Sequence, residues 1–171
     1  MSSMYNSAED LKVASIVETV RLEVSDIGYS ALITVHDYWD RVRGQAFAPS
    51  LRQFHLDELD PAIIPKMAIV DFVGPPLDYY YRFFGSHMVE ISGLELTGKR
   101  YYADNVEGYG FVNAKIFPIM IEERRPVVHR MTWISVKQLL YATTTVRLPL
   151  SADGQNVTGG VTVNQYRLAS C

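Results

Sequence analysis

The stretch YYYRFFGSHM (residues 79–88) decides the fold, because both of its faces carry aromatic rings. A strand with one face in water alternates apolar and polar residues. Read as a regular strand, this segment puts Tyr79, Tyr81 and Phe83 on one side and Tyr80, Arg82 and Phe84 on the other. Tyr80 and Phe84 would each bury about 150–250 Å², worth up to roughly 10 kcal/mol together. Net stability is only about 5–15 kcal/mol, so neither side can be left wet. The segment therefore predicts a sheet that is covered twice.

Working outward, MAIVDFV (67–73) precedes it, with GPP at 74–76 between them. Two β-rich runs around a Gly-Pro break predict a hairpin. Three further runs, VVHRMTWI (127–134), YATTTVRLPL (141–150) and VTGGVTVNQY (157–166), are rich in β-branched and aromatic residues. SADGQ, between the second and third, carries an Asp-Gly pair of the kind hairpins favour. Gly159-Gly160 inside the last run reads as a bulge or a close backbone approach rather than a phosphate cradle.

Helical periodicity covers the rest. Val13, Val17, Val20 and Val24 predict an amphipathic helix over 10–24, and Leu32, Val35, Trp39 and Val42 predict a second, closed by Gly44. Pro49, Pro61 and Pro65 make 45–65 a connecting segment with room for one helical turn. Glycines break 86–110 into short turns, and a helix is expected at 111–123, kinked or restarted by Pro118. The expectation is an α+β fold with a five-stranded antiparallel sheet, short mid-chain helices on one face and N-terminal cap helices, or a second subunit, on the other. Residues 1–65 form the cap and connecting segment and 66–171 the core, within one structural domain.

Composition bounds the function classes. With 171 residues, 48% hydrophobic and 20% charged, the chain is long enough to bury a core unaided. Sixteen basic against nineteen acidic residues give a formal charge of −3, which offers nothing to nucleic acid. No apolar run approaches the roughly 20 residues of a membrane span. The single cysteine, Cys171, excludes an internal disulfide and a thiolate cluster. A cytoplasmic protein is expected. Neither a serine elbow, an HExxH pair, a P-loop nor a Rossmann glycine run occurs, and the four histidines (36, 55, 87, 129) have no metal-ligand spacing.

The order of helical cap, two strands, short helices and three strands resembles the PAS domain. Four motifs resemble a bacterial subfamily of single-domain PAS proteins: DYWDRVRG (37–44), LDELDPAIIPKMAIVD (56–71), YRFFGSHMVEISGLELTGKR (81–100) and RLPLSADG (147–154). The resemblance runs from about Tyr29 to the end. It implies a non-catalytic sensory or regulatory module, with a small ligand held between the sheet and the middle helices. Since the 171 residues contain no output domain, the signal would pass by contact with a partner protein, and a homodimer through the N-terminal helices is the corollary. Flavin photochemistry in PAS relatives needs a mid-domain cysteine that this chain lacks. Haem-binding relatives use a histidine, and no motif around His129 or His87 marks one, so no cofactor is assigned.

On that reading the ligand-facing residues are Tyr81, Phe83, Arg82, His129, Met131, Trp133, Thr144 and Val146, with Val161 beside them; no catalytic or metal residue is assigned. Each has a plainer alternative. His129 shares a strand face with Met131 and Trp133 and is either a cavity group or a half-buried histidine satisfied by a neighbour. Arg82 is either an anion-holding fork or a side chain packed along Tyr80 and Phe84 with its head exposed. A one-residue slip inverts every strand assignment. Two other readings stay open: an NTF2-like enzyme in which Asp71 and His129 shuttle protons, and an interaction scaffold with a filled core.

Overall fold

The expected hairpin forms: β2 (Met67–Val73) pairs antiparallel with β3 (Asp78–Phe84). The structure is a computed structural model that describes residues 5–12, 14–73, 77–104 and 106–169. The expected turn at Gly74-Pro75-Pro76 lies outside the described residues, as do Val13 and Cys171. The hairpin is not regular. Ile69 is opposite Phe83 but Val70 is opposite Tyr81, so Arg82 is an extra residue in β3. That bulge reverses the alternation. Phe84 joins Tyr79 and Tyr81 on one face, whereas Phe83 turns to the other. Arg82 itself is exposed, and its Nε lies 2.6 Å from Asp71 Oδ2.

The expected three C-terminal strands are β5 (Val127–Ile134), β6 (Leu140–Leu150) and β7 (Gly159–Leu168). The sheet has seven strands among the described residues, not five; with β1 (Ser15–Leu22) and β4 (Arg100–Tyr102) at its edges, every pairing is antiparallel in the order β1-β5-β6-β7-β2-β3-β4. One addition is β4 (Arg100–Tyr102), three residues on the β3 edge. The other corrects a helix: residues 15–22, inside the segment expected to be helical, form β1 (Ser15–Leu22) along β5. Its register shifts between Ile16 and Glu18, so Val17 is bulged outward. A valine spacing of three and four residues is thus a strand with an extra residue, flanked by 3-10 turns at Ala8–Leu11 and Val24–Asp26.

The N-terminal helix that does form is α1 (Ser30–Arg43). Its stripe of Leu32, Val35, Tyr38 and Trp39 is buried, and Gly44 ends it at φ 58°. The stripe packs with Met67, Ile69, Val146, Leu148, Val161 and Val163 on one sheet face. Trp39 Nε1 donates to the Pro149 carbonyl at 2.8 Å and fixes the helix over β6.

The opposite face is roofed by α2 (Ser86–Ser92) and by a π turn, Val112–Ile116, that runs into α3 (Phe117–Glu123). Pro118 sits in the first turn of α3, so it restarts the helix, and the wider turn before it absorbs the missing N–H. Val112, Ile116, Phe117 and Met120 pack with Ala68, Val70, Tyr79 and Tyr81. The sheet is covered on both faces, but not by the rings from which this was argued: Phe84 lies with Tyr79 and Tyr81 under the mid-chain helices, and Tyr80 is half-buried and belongs to neither core cluster. At Gly159-Gly160 the close approach is real. A Cβ on Gly159 would lie 2.8 Å from the Val70 carbonyl oxygen, and one on Gly160 would lie 2.7 Å from Met120 Cε. The Asp153-Gly154 pair sits in a longer connection whose backbone amides at Gln155 and Asn156 donate to the Asp153 carboxylate, both at 2.8 Å.

Candidate functional site

Three rows of side chains cross β5, β6 and β7 on the face roofed by the mid-chain helices. Strand pairing aligns Val127–Arg147–Thr162, then His129–Thr145–Asn164, then Met131–Thr143–Tyr166. The rows carry an arginine, two asparagine or histidine side chains and three threonines, all buried. So polar a face beneath a roof is not needed to fill a core.

Between these rows and the roof lies a cavity of about 40 Å³. Its floor is Met131, Thr143, Thr145, Arg147, Asn164 and Tyr166; Trp133 extends the floor at one end. Its roof is Leu94, Tyr109 and Val112, with Phe84 at the end of β3 completing the wall. Ala14 and Ile16, at the start of β1, close a side. The N-terminal segment is held there by Tyr109 N, which donates to the Leu11 carbonyl at 2.8 Å. Gly108 makes this possible, because a Cβ there would stand 2.3 Å from that same carbonyl oxygen.

Arg147 dominates the electrostatics. It is 3% exposed, and neither Nε nor Nη1 has a hydrogen-bond partner among the described residues. The groups whose charge states act on it are the phenols of Tyr109, Tyr81 and Tyr166, and burial pulls its pKa down. Its guanidinium carbon lies 5.8 Å from the centre of the Phe117 ring. Arginine keeps its proton in proteins, so this is a buried positive charge without a counter-charge among the described residues. Such a group costs several kcal/mol in effective desolvation.

The phenols do not supply the missing anion. Burial pushes Tyr109 up to about 12 and raises Tyr166 and Tyr81 well above the ordinary tyrosine value, so all three are neutral at physiological pH. Asn164 Nδ2 donates to Tyr166 Oη at 2.7 Å, which leaves the Tyr166 proton to be donated elsewhere. Trp133 Nε1 donates to Thr143 Oγ1 at 2.8 Å, and Tyr81 Oη donates to Asn113 Oδ1. Asn164 Oδ1, Asn113 Nδ2 and His129 Nδ1 have no partner among the described residues. Compared with known proteins, the sequence matches no protein-family model and no curated protein.

The residues expected to face a ligand divide. Met131 and Trp133 are in the cavity wall. Tyr81 is buried on the same face but behind the wall, bonded to Asn113. His129 is on that face too, one row in; it is 3% exposed rather than half-buried, and its Nδ1 is unsatisfied rather than paired. Burial and the charges of Arg147 and Arg21 lower its pKa to about 4, so it is neutral. Phe83 packs on the α1 face, and Arg82 is at the surface, both displaced by the bulge. Thr144 and Val146 are corrected by the phase of β6: Thr143, Thr145 and Arg147 face the cavity, and the residues between them face the other way. Val161 is reversed likewise. Asp71 is paired with Arg82 and follows Val70, so it lies on the sheet face opposite His129, and the two cannot exchange a proton directly. Among the described residues no three His, Cys, Asp or Glu gather as metal ligands, and no helix is long and apolar enough to cross a membrane.

Proposed function

We propose that the chain is a non-catalytic regulatory module of the PAS type, binding a small molecule in the cavity between sheet and mid-chain helices and signalling by protein contact. The observation that carries this reading is Arg147, a buried charge in the wall of a cavity and without a counter-charge among the described residues. A filled scaffold would have no use for it, since an apolar residue there is cheaper to bury. Supporting it is the chain order that underlies the PAS resemblance: a strand hairpin, helical turns that roof one face, then three adjacent strands.

Signalling by contact needs a surface. The apolar stripe of α1 is spent on its own sheet. Val136, Leu139 and Leu168 are exposed at one end of the sheet, where Ala169 N donates to the Leu140 carbonyl at 2.9 Å. This end is the surface assigned to a second copy or a partner protein. The test of the ligand-binding reading is native mass spectrometry of freshly purified protein. A reproducible non-protein mass, lost on denaturation, is expected; a bare chain that also binds nothing from a metabolite library would sink the reading.

A further inference from the structure

We infer that Arg147 anchors the carboxylate of a small monocarboxylic acid, whose short apolar tail lies against Ile16, Met131 and Trp133. This rests on the ligand-binding reading above and narrows it to a chemical class.

Charge sets the head group. Arg147 is the cationic side chain in the wall, and the nearest histidine on that face, His129, is neutral. One fixed positive charge balances one negative charge, whereas a phosphate dianion would remain half uncompensated in a buried site. Nε and Nη1 lie on different edges of the planar guanidinium and both lack a partner among the described residues, so a carboxylate would meet this group through a charge-assisted hydrogen bond at one edge. The protons of Tyr166 and Tyr109 add two neutral donors that do not introduce further charge.

Shape sets the tail. Away from Arg147 the wall is Ile16, Leu94, Val112, Met131 and Trp133, which rewards hydrocarbon rather than hydroxyls. The cavity of about 40 Å³ holds more than one water but is far below the roughly 300–1,000 Å³ of pockets for drug-sized ligands. A carboxylate with a chain of a few carbons fits; a fatty acid or a nucleotide does not.

The experiment titrates the full chain with butyrate, with butyramide as its uncharged isostere, and with inorganic phosphate, at constant ionic strength, by calorimetry and thermal melting. Butyrate should bind saturably and raise the melting temperature, with butyramide weaker by about tenfold or more, the scale of a charge-assisted hydrogen bond. Arg147→Gln should erase the difference between the two, and Arg147→Lys, which keeps the charge but not the planar guanidinium, should restore part of it. Melting curves of both variants establish that they fold. Equal binding of butyrate and butyramide, unchanged butyrate binding in Arg147→Gln, or preference for phosphate each overturns the carboxylate class while leaving a ligand-binding module standing. Failure of all three probes also overturns it, and the retained mass described above then decides the wider reading separately.

Discussion

Arg147 is where stability and function pull apart. Replacing it with methionine removes an uncompensated charge from the interior, so Arg147→Met should stabilise the ligand-free chain by about 1–4 kcal/mol in urea titration; an unchanged or lower midpoint would mean that the charge has a partner in solution. His129 makes the opposite kind of statement, about pH. Its folded pKa of about 4, held down by burial and then by Arg147 and Arg21 with Glu123 opposing them, lies below the ordinary value of 6.5. Between those two pH values the unfolded chain binds a proton that the folded chain refuses. Stability should therefore be full above about pH 6.5 and fall as the pH drops towards 4, and His129→Phe should flatten that slope.

Among the elements, the N-terminal segment and β1 matter most to the site, because they close the cavity at Ala14 and Ile16. Gly108→Ala would place a methyl against the Leu11 carbonyl at a residue with φ 56°. We expect a loss of about 2–4 kcal/mol, together with faster hydrogen exchange at the Tyr109 amide, because the strap is pushed off. Protection unchanged at Tyr109 would show that the segment does not depend on that glycine. Little of this strap is legible in the sequence. A bulge at Val17 replaces alternation with a helix-like spacing, and an edge strand with one wet side offers few apolar residues to count. By contrast β2 and β3 are legible from aromatics on both faces, and α1 from a stripe in which Leu32, Val35 and Trp39 are buried as expected, with Tyr38 buried in place of the half-buried Val42. The phase of β6 is not, because its residues from Ala142 to Leu150 are buried on both faces and polarity no longer marks a side. Arg147 was the available signal: a charge in the middle of YATTTVRLPL has to answer to something.

For the whole molecule, two covered faces leave the sheet's ends and edges as the surface for association. If a second copy docks at the Val136, Leu139 and Leu168 end, Val136→Glu with Leu168→Glu should convert a dimer to monomer in sedimentation velocity while leaving the melting temperature nearly unchanged. A wild-type chain that sediments as monomer at high concentration would remove the second copy from the proposal and leave only a different partner. The strap has a practical consequence for anyone building a biosensor. A fluorescent protein or dye fused ahead of β1 would hang from the wall of the cavity and report on, or prise apart, its closure. One joined beyond β7 would leave the latch untouched, so comparing the two fusions separates what the reporter sees from what the reporter does.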